Sequence, residues 1–178
     1  MNNLKELTWE NHKNAERQTF VKEMFSGNIT VERYLDFLHN QHPQYNVLEQ
    51  FCKLHNLLDV EIAPKIHQDI LELQQNVQGY VPTVYPVVKE YLDYLLTIKD
   101  DVEKLLAHVY VRHMGDLSGG QMIAKRVPGP GNMYKFDEDT QVIKDKIRLR
   151  LNDSMAEEAK VCFDFATQLF KEMSESTS

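Results

Sequence analysis

Ala107-His108-Val109-Tyr110-Val111-Arg112-His113-Met114-Gly115-Asp116-Leu117-Ser118-Gly119-Gly120-Gln121 is the stretch that decides the fold. It lies inside a segment, about Val102 to Val127, whose apolar spacing otherwise reads as a helix. Three glycines within six positions are costly there. Each destabilises a helix interior by about 1 kcal/mol relative to Ala. Gly115 and Gly119 are four apart, so they share one side of the helix. A helix bare along one side can bring its backbone close to something flat and large. Asp116 stands beside that strip, and Arg112 precedes it by one turn. Close helix–helix packing uses the same small residues, so the glycines alone leave two readings open.

Working outward, the rest of the chain also reads as helices. Asn2 or Asn3 can cap a first helix from about Leu4 to Arg17, and a short piece follows from Phe20 to Phe25. Thr30 caps a longer helix carrying Val31, Leu35, Leu38, Tyr45, Leu48 and Phe51, with Glu32 in its first turn. Pro43 within it removes one backbone hydrogen bond or kinks it. Ala63 to Gln78 places Ile66, Ile70, Leu73 and Val77 on one face. Thr83 is expected to cap a helix from Val84 to Ile98. Pro128-Gly129-Pro130-Gly131 stops the glycine-bearing helix and opens a loop. Thr140 to Asn152 and Ala156 to Met173 complete an all-α bundle of about seven helices, a class that can hold a ligand between helices.

The chain has 178 residues, 42% hydrophobic and 26% charged. That fits one domain, residues 1–178, with a real core. Its formal net charge of −7 argues against nucleic-acid binding as the main role. Cys52 and Cys162 are far apart and form no CxxC, so a reducing compartment is expected. The start, Met-Asn-Asn-Leu-Lys-Glu, has no apolar signal region, and no apolar run approaches the roughly 18 residues of a membrane span. A soluble cytoplasmic protein is the expectation.

The string from Ala107 to Gln121 resembles the distal-helix signature of the heme oxygenases. The segment Trp9-Glu10-Asn11-His12-Lys13-Asn14-Ala15-Glu16 resembles that family's first-helix motif. The resemblance is strongest over 5–20 and 105–123, weaker over 31–52 and 140–173, and poor over 55–100. It implies a single-domain helical bundle with heme sandwiched between the first, proximal helix and the glycine-bearing distal helix. It implies His12 as the axial ligand of the heme iron. Glu16, four residues on, is placed to accept a proton from His12 Nδ1 and fix the ring. His108 and His113 compete as ligands, but a histidine beside the glycine strip would close the iron position that an oxygenase keeps open.

On the distal side, the resemblance assigns Gly115 and Gly119 to the close backbone approach and Asp116 to the carboxylate that acts through ordered water. Arg112 and Tyr45 match residues that order the same network. Read without the family, Arg112 and Asp116 would be an i,i+4 ion pair worth about 0.3–0.5 kcal/mol. Lys5, Lys144 and Arg148 match propionate contacts, Tyr110 adds a hydrogen bond to them, and Phe163 matches a pocket-wall aromatic. Charged contacts to the propionates fix the in-plane rotation of the macrocycle, which implies α-meso cleavage. Three departures stand out. Trp9 occupies a position where many members carry a lysine, Val111 replaces a hydroxyl-bearing residue, and Gln121 to Lys144 is shorter than usual.

The implied function is cleavage of heme, both substrate and cofactor, to biliverdin IXα, carbon monoxide and ferrous iron with O2. Ferredoxin or another reductase is the implied electron donor, with a downstream bilin reductase as a further partner and no nucleic acid or membrane. Bilin synthesis and iron acquisition are both compatible uses. The alternative is a non-catalytic heme carrier or sensor on the same fold. A di-metal enzyme would want Glu-x-x-His pairs on facing helices, and the sequence has none.

Overall fold

The structure, a computed structural model, describes residues 2–176. Its helices are α1 (Leu4–Leu7), α2 (Trp9–Glu16), α3 (Thr19–Ser26), α4 (Val31–Leu54), α5 (Ala63–Gln74), α6 (Pro86–Ile98), α7 (Val102–Ala124), α8 (Thr140–Arg148) and α9 (Ala156–Glu175). Short 3₁₀ turns occupy Asn132–Tyr134 and Asp153–Met155. No strand occurs among the described residues. The helix count exceeds the expected seven partly because the first helix is divided at Thr8. Thr8 departs from helical geometry at φ −110°, ψ 8°, and its hydroxyl donates to the Leu4 carbonyl at 2.7 Å. Such back-bonding bends helices. The backbone ladder nevertheless continues through it, with Thr8 N–H on Leu4 O and His12 N–H on Thr8 O, both at 3.0 Å.

Helix ends follow local chemistry, with two corrections besides the earlier ends of α5, at Gln74 rather than Gln78, and of α8, at Arg148 rather than Asn152. Thr30 caps α4 as expected, accepting from Arg33 N–H at 3.1 Å. Asp101 caps α7, accepting from Lys104 N–H at 3.0 Å. Thr83 caps nothing, because α6 begins at Pro86, whose fixed φ suits a first helical position. Instead, Thr83 N–H donates to Asp36 Oδ1 at 3.0 Å, and Asn40 Nδ2 donates to the Thr83 carbonyl at 2.8 Å. These buried α4 side chains strap the 80–85 connection onto the bundle. The second correction is the end of α7, which stops at Ala124, before the Pro-Gly-Pro-Gly run. Pro43 lies inside α4 without ending it.

Two apolar clusters make the core. Phe20, Tyr34, Leu38, Ile66, Leu73 and Tyr134 form one, and Leu4, Leu48, Tyr91, Leu95, Ala107 and Cys162 belong to the other. Helix α9 is the common support: α2, α3, α6 and α7 all pack on it. Thus α2 and α7 are held by α9 rather than by close packing on each other. Among the described residues, no helix is long and apolar enough to cross a membrane.

Candidate functional site

Gly115, Gly119 and Gly120 have different jobs, which their spacing alone does not separate. A Cβ built on Gly115 or Gly119 meets nothing within 4 Å, so this side of α7 faces open space. A Cβ on Gly120 would lie 2.4 Å from Tyr134 Cδ1, so this glycine admits the Tyr134 ring against the helix backbone. The two classes should respond oppositely to alanine. Gly120→Ala should lower the stability of the protein by about 1–3 kcal/mol through overpacking. Gly115→Ala should raise it by up to about 1 kcal/mol through helix propensity. Urea unfolding of both variants checks this, and a matching sign for the two would refute the division.

His12 projects from α2, partly exposed, between aromatic neighbours. Its ring stacks on Phe163 of α9 with centroids 5.2 Å apart and planes at 17°. Trp9 meets it edge-on at 5.6 Å. Glu16 Oε1 is 2.7 Å from the ring, as the one-turn spacing suggests, but the nitrogen it meets is Nε2, not the Nδ1 anticipated from sequence. The i,i+4 reach brings the carboxylate to the outer nitrogen in this ring orientation. The competing histidines are accounted for elsewhere. His108 and His113 are fully buried, with Nε2 atoms 2.8 Å from Glu158 and 2.9 Å from Glu49.

Asp116 accepts a hydrogen bond from the Tyr45 hydroxyl of α4, and that hydroxyl also lies 3.3 Å from the Arg112 carbonyl. Burial pushes the Asp116 carboxyl up to about 6, against the lowering effect of Tyr45, His113 and Arg112. Burial first, and the Asp116 charge second, hold the Tyr45 phenol well above its ordinary range. Because the folded value of Asp116 is raised, the folded state binds the proton more tightly than the unfolded chain. Its contribution therefore favours folding most below about pH 4 and is lost as pH rises through about 6. Melting curves between pH 4 and 7 should show that slope, and Asp116→Asn should flatten it.

Arg112 does not pair with Asp116. Its side chain is buried and turns toward α4 and α6. Nε donates to the Tyr91 hydroxyl at 3.1 Å, one terminal nitrogen donates to Gln41 Oε1 at 3.2 Å, and the other donates to Gln44 Oε1. The guanidinium lies 4.5 Å from the Tyr91 ring centroid and 5.6 Å from that of Tyr45. Behind it, Tyr91 meets His108 Nδ1 at 2.7 Å. Sequence reasoning missed Gln41, Gln44, Tyr91 and the two histidine–carboxylate pairs. The available signal was the cluster of amide side chains at 40, 41 and 44, one helical turn apart on α4.

The remaining sequence candidates gather less tightly. Lys5 has its ammonium 6.0 Å from the Trp9 ring centroid, and Lys13 approaches the same ring at 5.8 Å. Tyr110 is half-buried; burial raises its phenol, while the neighbouring Thr8 hydroxyl and Arg148 charge oppose that rise. Tyr110 thus lies near both Thr8 and Arg148. Arg148 also bonds Asp145 at 3.2 Å. Lys146 pairs with Glu138 at 3.2 Å, and Arg150 donates to the Asn56 carbonyl at 2.9 Å.

Comparison with known proteins identifies the family of the chain and its fold. A family profile described as heme oxygenase matches residues 1–172. The heme oxygenase of Pyropia yezoensis is 27% identical over 206 aligned positions, covering 99% of this chain and 86% of the relative. Among solved structures, the heme oxygenase of Leptospira interrogans is 26% identical, with a TM-score of 0.79 over 95% of this chain and 97% of that one. Heme oxygenase-2 of Synechocystis sp. PCC 6803, solved with heme and NO, is 25% identical, with a TM-score of 0.81 over 96% of this chain and 83% of that one. The chain belongs to the heme oxygenase family, heme-degrading enzymes that draw electrons from a reductase partner.

Proposed function

We propose that residues 1–178 form one heme oxygenase domain that binds heme between His12 and the Gly115–Gly119 strip. The products are biliverdin IXα, carbon monoxide and ferrous iron, made with O2 and electrons from a ferredoxin. The observation that carries the placement is the open space beside Gly115 and Gly119, on a helix that shares its support, α9, with the His12 helix. The residues fit the macrocycle: an imidazole on one side, bare backbone on the other, and cations near an edge. Heme, when bound, supplies the iron that takes up oxygen and the porphyrin that is oxidised.

The chain's own residues then divide the work. Phe163 and Glu16 fix the plane of the His12 ring, as outer partners of metal-binding histidines do. Gly115 and Gly119 let backbone approach where a side chain would intrude. Asp116 and the Tyr45 hydroxyl hold a proton at the rim of the open side, and a carboxyl near pH 6 can both give and accept it. Arg112 braces that pair through its carbonyl, which accepts from the Tyr45 hydroxyl, and through its buried guanidinium, which lies 5.6 Å from the Tyr45 ring centroid. Lys5, Tyr110, Lys144 and Arg148 orient the propionates and hence the meso carbon that is cleaved. Exposed Trp9 between Lys5 and Lys13 offers an apolar, cationic contact suited to an acidic electron carrier. A bilin reductase would receive the product.

Mixing the protein with hemin and then reduced ferredoxin tests this reading. Loss of the Soret band with a bilin spectrum is the expected result. A Soret band that persists under oxygen and reductant would establish the carrier or sensor alternative.

A further inference from the structure

The chain has seven histidines, and they fall into two groups. His12, His55, His108 and His113 each bring a ring nitrogen to an oxygen, from Glu16, the Lys99 carbonyl, Glu158 and Glu49. The rings of His39, His42 and His67 have no hydrogen-bond partner among the described residues. His39 and His42 lie on α4 and His67 on α5, two helices packed side by side. The His42 and His67 rings meet across that seam, with centroids 5.8 Å apart and planes at 45°. His42 is half-buried and His67 is exposed. Burial first, then the charges of His67 and His39, push the His42 imidazole below its ordinary range, with Glu49 opposing. Its lone pair is therefore available at neutral pH. The heme-binding roles use none of these three side chains.

We propose that His42 and His67 form a binding site for one divalent transition-metal ion, zinc or copper(II), that bridges α4 and α5. The spacing of the rings fits this use. Zinc sits about 2.0–2.1 Å from a histidine nitrogen, hence about 3.2 Å from the ring centroid, which puts two ligating centroids about 5.2 Å apart at the tetrahedral angle. The observed 5.8 Å is wider by about 0.6 Å, a gap that small side-chain rotations close at a half-buried and an exposed position. Imidazole nitrogen suits zinc, copper and nickel, whereas magnesium and calcium take oxygen ligands. Among the described residues, no three His, Cys, Asp or Glu side chains are placed to share a metal ion. The protein therefore supplies two ligands and water completes the shell, which makes the site an exchangeable one. Once bound, the ion ties α5 to α4. Helix α5 carries Asp69, which holds the Asn132 and Met133 N–H groups at 2.9 and 3.0 Å, so the ion also steadies the turn that sets Tyr134 against Gly120. The proposal is independent of the heme reading, and failure of either leaves the other standing.

The test titrates zinc chloride into the EDTA-treated protein and follows the histidine ring nitrogens by nitrogen-15 NMR. The His42 and His67 signals should move together and saturate at one zinc per chain, while magnesium chloride leaves them unmoved. His67→Gln, at an exposed position, should weaken the zinc response of the His42 ring by about tenfold or more, and His42→Gln should do the same to His67. Zinc should also raise the unfolding temperature of the wild type, because it binds the folded state, and should not raise that of His67→Gln. Rings that respond at different zinc concentrations, or that stay still while His12 moves, would overturn the site. An equal response to magnesium, or an undiminished His42 response in His67→Gln, would overturn it as well. The wild-type titration decides the question even without the variants.

Discussion

Asp116→Asn should leave hemin uptake intact and cut bilin formation by roughly 10²-fold or more, the usual worth of a positioned acid–base group. The amide keeps an oxygen that can accept from Tyr45, so the fold and the rung between α4 and α7 should survive. What disappears is a group that can take and release a proton near neutral pH. The wild-type rate should therefore vary with pH around 6, where the buried carboxyl titrates, and the variant should lose that dependence. Tyr45→Phe should keep the profile but move its midpoint upward, because Asp116 loses its donor and the lowering influence it supplies. A variant at 116 with full bilin yield and an unaltered pH profile would refute this role while leaving family membership untouched.

His12→Ala should have the second-largest effect, on binding and on the iron spectrum. Loss of an outer partner to a metal-bound histidine costs about 10–100-fold in affinity, the loss expected for Glu16→Gln. Removal of the ligand itself should exceed that. Because Phe163 and Trp9 wall the space left by the ring, added free imidazole should occupy it and restore the ligated spectrum. Binding titrations with and without imidazole measure both effects. Hemin affinity unchanged in His12→Ala would place the iron ligand elsewhere, and the carboxylate pairing of buried His108 and His113 leaves few substitutes.

The helices were legible in the sequence wherever apolar spacing and a capping side chain agreed, as at Thr30. Thr83 misled because its backbone and its neighbours serve long-range bonds to Asp36 and Asn40, which no local pattern reveals. The glycine strip was readable as a feature, but not the division of labour within it. That depends on Tyr134, brought against Gly120 when Asp69 binds the N–H groups of Asn132 and Met133 at 2.9 and 3.0 Å. Arg112 and Asp116 looked like partners because they are one turn apart. Burial decided otherwise, since Gln41, Gln44 and Tyr91 offer the guanidinium a complete set of neutral acceptors. Such partnerships are set by tertiary packing.

Among the described residues, helix α9 gives the two walls of the proposed site their most extensive common footing. The segment carrying His12 is anchored along one flank, with a bend at Thr8 just upstream. In the proposed arrangement the substrate is a keystone: it supplies the missing flank and locks both walls. Consuming it removes that keystone at each turnover, so product escape would be driven by the loosening of the arch that the reaction itself causes.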